Sequence, residues 1–165
     1  MIIADALHTQ HAHGTHLRAR DAHYVAIVKN NHPGLYQQVR DLPWAEIPLG
    51  HKTSERSHHR IEVRRLKVVA FKHIAYPDAR QAIQVVRRRR DLSTGKLSIE
   101  RVYLITSLTP GEATGAQLAA WIRGHWGIEI CQAVCTYGMR PVSSAKWGCT
   151  RVVRPRTRSK RTRGR

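Results

Sequence analysis

The sequence predicts a mixed α/β (α+β) layered domain, a mixed sheet with flanking helices, followed by a disordered basic tail. Three observations predict it. Short β-branched apolar runs alternate with segments of helical period through Leu42. Longer runs of two-residue alternation follow, punctuated by turn residues, and lead into one strongly amphipathic segment. Beyond about Thr136 every period is lost, and past Glu129 the chain contains no Asp or Glu.

The elements follow in order. "MIIA" reads as the end of a short buried strand, with Asp5 at its C-terminal end. "ALHTQHAHGTHLRARDA" is predicted helical, weakened by Gly14. "HYVAIVK" is a β-branched apolar strand, and "NNHPG" is a turn or helix cap. "GLYQQVRDL" spaces Leu35, Tyr36, Val39 and Leu42 as one face of a short helix. "PWAEIPLGHKTSERSHH", broken by Pro43 and Pro48, is expected to be a loop. "RIEVRRLKVVAF" alternates through Ile61, Val63 and then Leu66, Val68 as a long strand with one polar face. "QAIQVVRRRRDL" is a strand ending in four arginines, "STGK" supplies a turn, and "LSIERVYLITSL" completes a hairpin. "EATGAQLAAWIRGHWGIEICQAV" is the clearest helix: Leu118, Ile122 and Trp126 form one apolar row, and Trp121, His125 and Glu129 share a neighbouring row. The expected organisation is a domain over residues 1–135 and a disordered tail over 136–165.

At 165 residues the chain is one domain or part of one. A net charge of +18 points to a polyanionic partner, nucleic acid first. An acidic membrane surface is the second option, but no amphipathic basic helix supports it, and no apolar run approaches the ~20 residues of a span. "MIIADALHTQ" lacks the basic flank and apolar core of a signal peptide, so a cytoplasmic location is expected. Cys131, Cys135 and Cys149 match no zinc spacing and read as reduced thiols. His8, His11, His13 and His16 crowd one segment, but no Cys or carboxylate completes a metal shell there.

Two acids stand out chemically. Asp5 lies where open α/β sheets place ligand groups, at the carboxyl end of a strand. Glu129 lies on the last helix. Carboxylates from a strand end and a helix can hold Mg²⁺, which takes oxygen ligands and binds few carboxylates plus phosphate oxygens. Two such ions about 3.5–4 Å apart support phosphodiester cleavage. The residues alone leave a second account open: Asp5 as a helix N-cap, and Glu129 as an ion-pair partner of Arg123 or Lys146.

Five segments, in order, resemble the catalytic domain of bacterial insertion-sequence transposases of the DDE type. They are "IIADALHTQ", "YVAIVKNNHPGLYQQVRDLPWAEIP", "HHRIEVRRLKVV", "YLITSL" and "IRGHWGIE". The resemblance covers roughly residues 1 to 130 and implies a partial ribonuclease-H-like fold. It implies DNA transposition as function, Mg²⁺ as cofactor, transposon ends and target DNA as partners, and it leaves a homo-oligomer open. Asp5 matches the family's second catalytic acid and Glu129 the third. His125 stands where many relatives carry Arg. Lys29 and Asn30 match the family's "VKxN" turn, so Lys29 is a candidate phosphate contact, although a solvated turn lysine fits as well. His58, Arg60 and Glu62 match an "HGRIE" strand with His59 replacing glycine, and a cross-sheet ion pair is the favoured role. Arg87, Arg88, Arg89 and Arg90, with Arg123, complete the DNA-contact candidates, a solvated strand end being the plainer account of the arginine run.

Two departures qualify the resemblance. The family's first catalytic Asp would lie upstream of Met1, and the text after Glu129 departs from the family pattern. The expectation is a decayed copy, truncated at its start and frameshifted near residues 129–135, with negligible cleavage by itself. The alternatives are a non-enzymatic, sequence-independent DNA-binding protein and a remnant without function.

Overall fold

A computed structural model describes residues 1–5, 9–57 and 59–125. The expectations for His58, Trp126, Glu129, the three cysteines and the 136–165 tail lie outside the described residues, as does His8 of the histidine cluster.

The element order is β1 (Ile2–Ala4), α1 (His11–Ala19), β2 (Tyr24–Val28), α2 (Pro33–Arg40), β3 (Leu49–Ser57), β4 (Arg60–Ala70), β5 (Gln81–Asp91) and β6 (Leu97–Thr106). A third helix, α3, occupies residues 115–125 among those described. The strands form one mixed sheet in the order β1-β2-β6-β5-β4-β3. Only β1 and β2 pair in parallel; the other four pairings are antiparallel. The mixed α/β class expected from the sequence is thus the observed one.

Side-chain alternation sorts the core onto two faces. Tyr24, Ala26 and Val28 of β2 point to one face, where they meet Leu35 and Val39 of α2, with Leu17 of α1 at the margin. Val25 and Ile27 point to the other, together with Leu66, Ile83, Val85, Leu104, and Leu118 and Ile122 of α3. The sheet is therefore sandwiched between α1/α2 and α3. Each fully buried aliphatic contributes roughly 1.5–3 kcal/mol relative to exposure, so β2, buried at all five positions, anchors both layers.

Two glycines mark where layers touch. Gly14 is buried in α1, and a Cβ there would lie 2.7 Å from the Tyr76 ring. The residue that weakens α1 locally is what lets it lie on Tyr76, whose hydroxyl donates to the Gln10 carbonyl at 3.0 Å. Gly115 opens α3 against β3, where a Cβ would fall 2.5 Å from the Gly50 carbonyl oxygen.

Three expectations are corrected. Residues 49–57, expected in a loop, form strand β3, whose alternating exposure comes from polar side chains at the sheet edge. It is held by its ladder to β4 and by ion pairs, not by apolar burial, so hydrophobic patterning could not reveal it. Strand β1 exists as expected but is an edge strand: Met1 and Ile2 are 49% and 44% exposed. Helix α1 starts at His11 with Gln10 as its N-cap, which excludes Asp5 as the cap of that helix.

Register shows that four strands outrun the other two. Val28, the last residue of β2, is level with Tyr103, Gln84, Lys67 and Leu49 across the sheet. Beyond that level, residues 50–57, 60–66, 85–91 and 97–102 continue as a four-stranded antiparallel arm. An edge-to-face contact of Tyr36 with Tyr103, a tilted contact of Trp44 with the same ring, and donation by the Lys67 ammonium to the Trp44 carbonyl close the α1/α2 layer at this boundary.

Candidate active site

Parallel pairing brings the C-terminal ends of β1 and β2 side by side, and the two sequence motifs expected at a site meet there. Asp5 follows β1 and Lys29 follows β2; the Lys29 ammonium lies 3.8 Å from the Asp5 carboxylate, with Lys29 63% exposed. Alternation from Ile3 and Ile27 directs this end of the pair toward the α3 side of the sheet. A lysine here neutralises the carboxylate in part and leaves donors free for an incoming anion.

Thr9, which the sequence reading passed over, fixes this corner. It is completely buried, and its hydroxyl donates to the Ile27 carbonyl at 2.7 Å and toward the Asp5 carbonyl at 3.2 Å. One side chain thus ties the chain leaving β1 to the middle of β2. The available signal was a lone Thr four residues after an acid at a strand end, a spacing that lets a hydroxyl reach back to the main chain.

Helix α3 starts against Gly50, and Arg123, two turns later, pairs with Glu55 at 2.6 Å. It therefore advances in the same direction as β3, which the ladder makes the direction of β1 and β2. Helix α3 shares the face of the sheet toward which Asp5 is directed, but it begins near the level where β2 ends and runs out along the arm, with Arg123 against Glu55 of β3, the edge strand opposite β1. His125 is half-buried on α3. Arg123, a DNA-contact candidate, is engaged by Glu55. Glu129 is outside the described residues.

The arginine run divides by strand alternation. Arg87 and Arg89 face α3; Arg88 and Arg90 face the opposite side and are exposed. Glu62, with a side chain only 8% exposed, receives the first pair: Arg87 donates to it, Arg64 lies at 2.6 Å and Arg89 at 3.7 Å. Glu100 adds longer contacts at 3.9 Å to Arg87 and Arg89, and Arg64 reaches Glu55 at 3.6 Å. The cross-sheet ion pair expected for Glu62 is present as a cluster spanning β3 to β6 and, through Arg123, α3. At the arm's tip, Asp91 accepts from the Ser93 hydroxyl and amide and the Thr94 amide, which lowers its pKa to about 2. On the α1/α2 face, burial raises the Tyr24 and Tyr76 phenols above their ordinary values, keeping both as neutral donors.

Among the described residues no group of three or more His, Cys, Asp or Glu is arranged to hold a metal ion. Asp5 fits as one oxygen ligand at an open strand end; the described residues by themselves do not complete a two-ion site. No helix among them is long and apolar enough to cross a membrane. The chain matches no curated protein. A family model described as transposase DDE domain matches residues 1–146. The chain belongs to the transposase DDE domain family, with a transposition-related function.

Proposed function

We propose that this chain is a portion of a DDE transposase catalytic domain that binds DNA but does not cut it unaided. The observation that carries this reading is the Asp5–Lys29 pair at the parallel strand ends, on the α3 side of the sheet. Asp5 and Glu129 are the carboxylates that would hold magnesium; the bound ion would supply the charge that activates water and stabilises the leaving oxygen in phosphodiester cleavage. The chain's own residues do the rest. Thr9 holds the Asp5 main chain against β2, so the carboxylate is presented at a fixed height above the sheet. Lys29 offers an ammonium to a phosphate drawn to that corner. Unaided cleavage is expected to be negligible, since among the described residues no third His, Cys, Asp or Glu joins Asp5 in a metal-holding group. A protein acting on transposon ends or target DNA in a bacterium works in the cytoplasm.

The test is binding and nicking of a labelled duplex by the purified chain. The expected result is salt-dependent binding, weakened several-fold by Lys29→Ala, and no Mg²⁺-dependent nicking. Nicking that disappears in Asp5→Ala would overturn the inactivity. Absence of binding at low salt would overturn the DNA-directed reading altogether.

A further inference from the structure

The face of the arm turned away from α3 carries cations and no acid. Alternation places Lys52 and Arg56 of β3, Arg65 of β4, Arg88 and Arg90 of β5 and Arg101 of β6 on this face, all exposed. Glu55, Glu62, Asp91 and Glu100, the arm's acids, all point to the other side. Among the described residues none of the six cations takes part in an ion pair, whereas Arg64, Arg87 and Arg89 all do. Lys52 is directly opposite Arg65 in the ladder, a like-charge pairing that weakens a sheet. Such an arrangement has no stabilising purpose in the isolated chain.

Between the cations lie aliphatic side chains. Leu97 and Ile99 are 50% and 47% exposed, and Ile61 and Val63 line a shallow trough with Arg65, Arg88 and Arg90. The α1/α2 layer stops at the level of Tyr103, so nothing in the described chain covers this surface. It also lies on the opposite face of the sheet from Asp5 and α3, and is therefore separate from the candidate active site.

We propose that this acid-free face docks the phosphate backbone of duplex DNA, as a second DNA contact on the side of the sheet opposite Asp5. The inference rests on the DNA-directed reading above. Charge complementarity selects the occupant: four strands about 4.8 Å apart make a surface about 14 Å wide, and a duplex carries one charge per about 1.7 Å of axis. Roughly eight phosphates of the two strands lie along that width, and about half of them turn toward the face, where the six cations can meet them. The face has no Tyr or Trp to act as the anchor of a protein interface. Backbone docking of this kind carries no sequence information; it fixes where the duplex lies.

The experiment compares Arg88→Gln/Arg90→Gln with Arg87→Gln/Arg89→Gln in the full chain, using a duplex oligonucleotide of arbitrary sequence over a range of salt. The first variant is expected to flatten the log–log salt dependence of binding by about 1.8, two phosphate contacts at about 0.9 each. Its affinity should fall roughly tenfold or more at moderate salt, with an unchanged circular-dichroism melt. The second removes the same charge but acts on the Glu62 cluster, so its signature is a lowered melt. An unchanged salt slope in Arg88→Gln/Arg90→Gln, while the unmodified chain binds DNA, would overturn this inference and leave the DNA-directed reading standing. If that variant instead lost binding to phosphatidylserine vesicles or lost self-association, with its DNA slope intact, the face would belong to a membrane or a second copy and the inference would also fail.

Discussion

The two faces of the arm are built from the same four strands, yet one is a closed ion-pair cluster and the other an open cationic surface. On the α3 side Glu62 gathers Arg64, Arg87 and Arg89, and Glu55 links that cluster to Arg123. On the other side six exposed cations meet no acid. The difference teaches that a run of one residue type in a strand is two sets of residues. "RRRR" supplies two arginines that hold the sheet and helix together and two that face outward.

The comparison can be broken or sharpened by substitution. The largest effect is expected at Glu62. Replacing it with Ala leaves three arginines without their shared buried acid, and breaking such a pair costs about 3 kcal/mol or more. A thermal melt should show this loss, whereas Arg88→Gln, on the open face, should stay within about 0.5 kcal/mol of the parent. Equal losses at the two positions would erase the distinction between the faces.

The layer contacts come next. Gly115→Ala puts a methyl 2.5 Å from a backbone oxygen of β3, and Gly14→Ala puts one 2.7 Å from the edge of the Tyr76 ring. Overpacking of this kind costs about 1–3 kcal/mol. Gly115→Ala should be the worse of the two in denaturant titrations, because a ring can shift more easily than a strand; the reverse order would show that α3 rests lightly on β3. Thr9→Val removes a buried hydroxyl from the Ile27 and Asp5 carbonyls and should cost about 1–2 kcal/mol. Amide exchange read at Ile27 and Lys29 should quicken, and unchanged protection there would remove Thr9 from its positioning role.

The smallest effect is at the tip of the arm. Hydrogen bonds from Ser93 and Thr94 lower the Asp91 pKa to about 2 from 3.8. Because the folded value is depressed, the turn's contribution is fully present above about pH 3.8 and is lost as pH falls toward 2. The Asp91 carboxyl resonance should titrate with a midpoint near 2; a midpoint near 3.8 would show the Asp91 cap to be absent in solution.

Much of the fold was legible because it rests on hydrophobic period. Strand β2, helix α2, the β5–β6 hairpin and the Leu118–Ile122 row of α3 all bury apolar side chains at the spacing their elements require. What escaped was held by other forces. β3 carries almost no apolar residue and exists through its ladder and Glu55. The start of α1 depends on where the chain turns after Thr9, a tertiary hydrogen bond. At the candidate site, Asp5 and Lys29 could be picked out from the sequence, and the structure brings them together. Thr9 could not, because its role needs the parallel register of β1 and β2. The division of the arginine run was implicit in the two-residue strand period, but which pair faced Glu62 required the register of β4 against β5.

The proposal most directly open to test is that Asp5 would ligate a divalent ion at the parallel strand ends. Paramagnetic broadening of backbone amide resonances by Mn²⁺ measures it directly. The account predicts that amides of Ile27 to Lys29 broaden, and that Asp5→Asn abolishes the effect. Broadening that persists in Asp5→Asn, or that centres on His11, His13 and His16, would contradict it.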